Sequence, residues 1–495
     1  MTAPSPHGWT TRNRGAAPVL FLAAALALAG CASTRGLAPA SAPMNADALA
    51  ASRSLDAQSP ATFPQVDWWR AFGDPQLDAL IEEALAGTPS LAAADARLRK
   101  AAADAGLADA LRKPTLGASA QATGVQIPET FVEPPMGGDF KASTVLMLDF
   151  KYSPDLWGGQ RAKYEAAVGQ ARAAAVDAQA ARLALAANIA DTYIALAQAW
   201  EALDAANAEQ ARATQLAALE RQRVEAGIDN TGLLHQQEAA IASARQQAQA
   251  ATQQIDSLRH ALAALLGQGP DRGLSIERPA LQAAVPQVPD VLPSELLGHR
   301  PDVVAARWRV EAAARGIDEA KAAFRPSVNL SAIVGLAAPN LGDLFGSDAV
   351  LGFGGPAISL PIFEGGGLRS NLRGRDADYD LAVAAYDQAL VQGLREVADA
   401  VQAMRALDAQ LVSIGEARDA AQRAFDIASE RYRAGIGNRL DVLAAQRLLL
   451  QLDQQQALLR ARRLQAAVAL DRALGGGLAF DTPPLPHVAT RANTP

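Results

Sequence analysis

The sequence predicts a mainly helical protein with membrane β-strands, built from two copies of a helix–strand–strand–helix–helix unit. Three observations predict it. Two Ala-rich stretches, 161–226 and 368–434, contain no Pro and are patterned as very long helices. Each is preceded by two segments that alternate apolar and small or polar residues, the period of a strand. Landmarks of the first half recur in the second at a fixed separation, the mark of an internal repeat.

Composition agrees with the helical part. Of 495 residues, 50% are hydrophobic but only 5% aromatic, and 20% are charged. Much of the apolar content is Ala, which favours helix and lets helices approach closely. The net charge of −7 argues against nucleic-acid binding, which needs a basic face. After the N-terminus no apolar run reaches about eighteen residues, so no spanning helix is expected in the mature chain.

The N-terminus reads as a processed leader, residues 1–30. Arg12 and Arg14 form a positive region, and 19–29 is an apolar stretch too short to span stably. It ends in Leu28-Ala29-Gly30-Cys31, which resembles a bacterial lipobox. Cys31 is the only Cys, so it is expected to carry a covalent lipid, N-palmitoyl and S-diacylglycerol, and no disulfide forms within the chain. Loss of Arg12 and Arg14 takes the net charge from −7 to −9. Ala32, with no Asp after the Cys, fits sorting to the outer membrane.

Residues 31–62 are rich in Ala, Ser and Pro without apolar period and read as an extended, lipidated tether. At Asp74-Pro75 a helix starts, with Leu77, Leu80, Ile81, Ala84 and Leu85 on one face. Trp68-Trp69 is expected to anchor against neighbouring helices rather than to bind a ligand.

The first repeat occupies 63–278, a Pro-rich linker 279–293, the second repeat 294–477 and a tail 478–495. Pro89, Arg97 and Pro114 match Pro301, Arg309 and Pro326 at an offset of 212. Arg161, Gly227 and Gly267 match Arg369, Gly435 and Gly475 at 208, so the length change falls in the strands and their loop. The strands are expected just after Pro114, at 144–152, just after Pro326 and at 350–362, with a bulge or bend at Gly354-Gly355-Pro356. At roughly ten residues each they are long enough to cross a bilayer tilted. The long helices carry seams at Leu185, Ile189, Thr192, Leu196, Ala199 and Leu203, and at Leu390, Leu394, Val397, Val401, Met404 and Leu411. These alternate spacings of three and four, as a coiled-coil seam requires. Gly227 in the first copy, and Gly435 with Gly437 in the second, mark the turns into returning helices.

No catalytic residues are indicated. The five His lack ligand spacing, so no metal site or cofactor is expected. FEGGGLR lacks the GK[ST] of a P-loop, and no GxSxG occurs. The chain is therefore not expected to be an enzyme. Four strands cannot close a barrel, because the smallest spanning barrels have about eight. Open edges are not tolerated in lipid, so oligomers are expected.

FGDPQLDALIEEAL, the two Pro-led strand starts, LWGGQR, FEGGGLR and RYRAGIGNRLDVLAAQR together resemble the TolC-like outer-membrane efflux proteins. With the lipobox, the chain is most similar to the NodT-type lipoproteins of resistance–nodulation–division systems. The resemblance implies a homotrimer with a 12-stranded β-barrel in the outer membrane and a 12-helix periplasmic α-barrel. It implies a passive exit duct, a periplasmic adaptor and a proton-driven inner-membrane transporter as partners, and contact with outer-membrane lipids. Alternatives are a type I secretion duct for polypeptides and a non-conducting, lipid-anchored structural coiled coil. In the family, the turn after the second long helix lies at the closed tip, where Asp residues ring the pore. Aligned on Tyr432 and Gly435, the first Asp position falls on Asp441 and the second on Ala444, while Leu440 matches an apolar constriction. The first-copy counterpart of Asp441 is Leu233. Tyr432, Leu440 and Asp441 are thus the expected periplasmic aperture.

Overall fold

The computed structural model describes residues 33–50, 63–132, 138, 140–282, 293–478 and 480. The leader, Cys31 and the tail from 481 onward lie outside the described residues. Seven substantial helices and four strands follow in order: α1 Pro75–Ala86, α2 Pro89–Ala110, β1 Thr115–Gln126, β2 Phe140–Tyr152, α3 Gly159–Glu225, α4 Thr231–Leu265, α5 Pro301–Ala322, β3 Ser327–Ala338, β4 Val350–Ser359, α6 Gly367–Arg433 and α7 Arg439–Ala473. The series α2-β1-β2-α3-α4 is repeated as α5-β3-β4-α6-α7. Both α3 and α6 have 67 residues, which at ~1.5 Å per residue is about 100 Å.

Helix starts follow their local chemistry. Asp74 caps α1 by accepting from the Gln76 N–H, with Pro75 at the first position. The same carboxylate accepts from the Tyr193 hydroxyl of α3 at 2.8 Å and from the Ala280 N–H at 2.7 Å. One buried Asp therefore ties α1, the first long helix and the linker together. Trp68 and Trp69 lie buried in a 3-10 turn and pack into the largest apolar cluster with Leu77, Ile81, Ile189, Tyr193 and Ile194. This matches their expected anchoring role. A second cluster joins α5 to the first half of α6 through Val310, Ile317, Leu372, Tyr379 and Leu390.

The four strands form one antiparallel sheet in the order β1-β2-β3-β4. The register makes one face apolar along its length. Leu116, Phe150 and Ala332 form one cross-strand row; Ala118, Leu148 and Val334 form the next; Ala120, Leu146, Leu336 and Val350 form a third. The opposite face is mixed: Thr115, Ser119, Gln121, Asp149, Lys151 and Ser331 share it with Met147, Ile333 and Phe353, and Lys151 pairs with Asp149 at 3.1 Å. Leu116, Leu148, Val334 and Val350 are exposed, an apolar face that no helix among the described residues covers.

Three sequence expectations are corrected. β2 begins at Phe140, four residues before 144, because its pairing with β1 continues to Gln126. β4 ends at Ser359 rather than 362, where Leu360-Pro361 leaves the sheet. No bulge interrupts Gly354-Gly355-Pro356: pairing of β4 with β3 is continuous from Ser327↔Ser359 to Leu336↔Val350. Pro356 is accommodated because β4 is an edge strand of this sheet.

The tether differs too. Its described part, 33–50, is a strap docked along α6. Arg369 donates to the Ser33 and Arg35 carbonyls. Asp380 accepts from the Ala40 and Ser41 N–H groups, and Asp387 from Met44. Leu37 and Ala46 enter the α5–α6 cluster. Apolar periodicity misses such a strap because carboxylates on α6 hold its backbone.

Along the sheet-proximal half, the helices neighbour one another in the order α2, α3, α5, α6. Further on, α3 packs with α4 and α6 with α7, and α7 rests on α3. No helix among the described residues is long and apolar enough to cross a membrane.

Candidate functional site

Two helical hairpins end in turns far from the sheet, and both turns have one backbone design. After α3, the Gly227 N–H donates to Val224 O and the Ile228 N–H to Arg223 O, both 2.9 Å. After α6, Gly435 donates to Tyr432 O and Ile436 to Arg431 O, both 3.0 Å. Gly227 and Gly435 share φ 73°, the left-handed conformation that closes a helix end and that a side chain would strain. Asn230 then caps α4 by accepting from Gly232, and Asn438 caps α7 by accepting from the Asp441 N–H at 2.9 Å.

Gly437 acts differently from Gly435. Its φ is not positive. It is needed for closeness: a Cβ there would meet Arg431 Cβ at 3.0 Å and the Tyr432 N at 3.1 Å. The first-copy counterpart is Asp229, whose carboxylate accepts from Arg223 Nε and pushes that guanidinium's pKa up. At the second turn Gly437 offers no such carboxylate, and among the described residues Arg431 makes no ion pair.

The residues expected at the aperture, Tyr432, Leu440 and Asp441, fall together at this second turn. Tyr432 is exposed on the last turn of α6, and the Arg439 guanidinium lies over its ring, 5.5 Å from the centroid. Leu440 is half-buried, and Asp441 is exposed in the first turn of α7. A carboxylate there faces the positive end of the helix dipole. Val442 and Leu443 are buried, so Asp441 and Ala444, three apart, share the face turned away from that packing. Leu233, the first-copy counterpart of Asp441, is 43% exposed.

Two arginines that sequence reasoning missed join the two hairpins. Arg212 of α3 is 3% exposed, binds Glu209 at 2.6 Å and donates to the Leu443 carbonyl of α7 at 3.4 Å. Arg439 donates to Gln215 of α3 at 2.9 Å. An Arg within an Ala-rich helix carries no periodic signal of such a role. Its only flag is absence from the other copy, where Ala420 stands in place of Arg212.

At the opposite end, β1 and β4 each have one partner strand among the described residues. An apolar face and two open edges together need further strands. Among the described residues no group of three His, Cys, Asp or Glu side chains is placed to hold a metal.

Comparison with known proteins places these features. The family profile "Outer membrane efflux protein" matches residues 80–268 and 292–476. The fusaric acid resistance protein FusA of Burkholderia cepacia is 34% identical over 485 residues, covering 95% of this chain and 90% of that protein. The pyoverdine export outer membrane protein OpmQ of Pseudomonas aeruginosa is 33% identical, covering 93% and 97%. The crystal structure of the outer membrane protein VceC from Vibrio cholerae superposes with a TM-score of 0.76 at 37% identity, covering 85% of this chain and all of that one.

Proposed function

From the premise that this chain belongs to the outer membrane efflux protein family, we infer that it is the outer-membrane exit channel of an efflux system, a conduit with no chemical step of its own. The observation that carries the reading is the four-stranded sheet, apolar on one face, with free edges at β1 and β4. Those edges pair with other copies of the chain. The homotrimer supplies twelve strands, closes the barrel and brings the hairpins around one axis as a 12-helix tunnel. The duct receives substrate from a periplasmic adaptor and a proton-driven inner-membrane transporter.

Cys31 carries the N-palmitoyl and S-diacylglycerol lipid. In support, the strap begins at Ser33, beside Arg369 in the first turn of α6 and near the sheet, where acyl chains reach the bilayer. Tyr432, Leu440 and Asp441 line the periplasmic aperture, with Leu440 as the apolar constriction and Asp441 as the charge. Gly227, Gly435 and Gly437 hold the turns that carry them.

Native mass measurement in detergent, paired with conductance in planar bilayers, tests the channel. A conducting trimer is expected. A monodisperse monomer that keeps its full β content would overturn the reading.

A further inference from the structure

A cavity of about 1080 Å³ opens between the strap, the start of α3 and the end of α5. Arg35 of the strap, Arg161 of α3, and Arg315, Lys321 and Arg325 of α5 and the turn after it line it. The carboxylates there are Glu165 and Asp318. Arg161 is held by Glu165 at 2.8 Å, and Arg315 by Glu311 at 2.9 Å and Glu165 at 3.3 Å. Among the described residues Arg35, Lys321 and Arg325 have no carboxylate partner. Arg325 instead lies over Trp157, 5.6 Å from the ring, and the Trp157 Nε1–H is fixed on the Pro326 carbonyl at 2.6 Å.

We propose that this cavity binds the phosphate headgroup of an anionic phospholipid from the periplasm-facing leaflet of the outer membrane. The inference rests on the reading of the sheet as membrane-inserted. Depth is the first argument. Lys321 is in the last turn of α5, Arg325 stands two residues before β3, and Trp157 follows the end of β2 by five residues. Trp157 and Phe363 are exposed at this end of the sheet, 51% and 84%, as aromatic residues are at a membrane interface. A cavity beside them lies at headgroup level.

Charge is the second argument. Basic pockets at a membrane's aqueous edge take anionic headgroups, because the attraction is strong within a Debye length of the surface. A zwitterionic headgroup would bring an ammonium toward five cations, with Glu165 already engaged by arginines. Accessibility is the third. The walls come from α3 and α5, the middle of the order α2, α3, α5, α6, whereas the strand edges where other copies would pair are β1 and β4. Oligomerisation therefore leaves the cavity open. The strap forms one wall, so the segment that follows Cys31 also encloses the headgroup.

The test titrates the full-length trimer in detergent with phosphatidylglycerol or phosphatidylcholine of identical acyl chains, read by native mass spectrometry. Retention of phosphatidylglycerol at up to three per trimer, in preference to phosphatidylcholine, is expected. Arg35→Gln with Lys321→Gln should weaken retention roughly 25-fold while keeping the fold, and Arg35→Glu with Lys321→Glu should weaken it further. Arg423→Glu, on α6 about 80 Å from Arg369, should change nothing. Millimolar inorganic phosphate should not displace the lipid. Equal retention of the two lipids, or variants that match the wild type, would overturn the site. Full displacement by phosphate would reassign it to a free anion and overturn the lipid. Conductance of the same samples separates the readings: a conducting trimer without lipid preference sinks only this site, whereas a wild type that is neither trimeric nor conducting sinks the channel and the depth argument together.

Discussion

The two copies of the repeat share a backbone and differ in what they do with it. Gly227 and Gly435 have the same left-handed φ, and Asn230 and Asn438 cap the returning helices alike. At the same offset of 208, Ala263 corresponds to Asp471, Arg212 to Ala420, and Leu233 to Asp441. The shared positions set geometry: where a helix stops and where the next begins. The differing ones lie where one hairpin must meet the other or the channel axis. Duplication alone would yield two equivalent hairpins; the joint, and the aperture proposed for Tyr432, Leu440 and Asp441, rest on residues present in only one.

The largest effect is expected where an apolar core position became acidic. Ala263 is fully buried in the first copy, and Asp471 is buried at the matching place in α7. Burial pushes the Asp471 carboxyl up to about 7 from its ordinary 3.8. The native state then holds this proton more tightly than the unfolded chain, so stability falls as pH rises from the ordinary carboxylate range through about 7. Asp471→Ala, which makes the copies alike, should be more stable than wild type by up to ~4 kcal/mol at about pH 8. Near pH 4 the advantage should vanish. Thermal melts of the detergent-solubilised protein at the two pH values check this; an advantage independent of pH would mean that the carboxyl does not titrate in the fold.

Next is the joint. Arg212→Ala leaves Glu209 and the Leu443 carbonyl without their buried donor. A loss of about 3 kcal/mol is expected, together with larger resting conductance as the hairpins part. Ala420→Arg places the same side chain at an exposed site of α6 and should alter neither. Equal effects of the two substitutions would break the contrast between the copies.

Much of this was legible because it is periodic or local. Alternation gave the strands and their common face, since Leu116, Leu148 and Val334 each obey a period of two. Gly435 and Asn438 announced the turn through chemistry confined to a few residues. The strap on Asp380 and Asp387, the joint at Arg212 and the cavity at Lys321 were not legible. Each depends on side chains that only the assembled topology brings together, tens or hundreds of residues apart. The Gly354-Gly355-Pro356 segment misled for a related reason: these residues permit a bulge but do not impose one, and an unbroken register with β3 decided otherwise.

The smallest expected effect is at Asp441. Leu233 holds the matching position in the first copy, so a trimer would present one carboxylate per chain at this level rather than two. The carboxylate is exposed, begins α7 and has its own N–H held by Asn438. Arg431, Arg433 and Arg439 share the turn, and Arg439 is spent on Tyr432 and Gln215. Three Asp441 carboxylates around an axis would draw cations, because a narrow aperture screens less than open surface. The neighbouring arginines oppose that field, which keeps the preference modest. Asp441→Asn should therefore move the reversal potential in a salt gradient toward zero by a few millivolts, most clearly at low ionic strength. Leu233→Asp, which doubles the ring, should move it the other way and strengthen block by multivalent cations. If both variants reverse at the wild-type potential while conducting normally, Asp441 serves only the start of its helix, and the aperture's selectivity lies elsewhere on the turn.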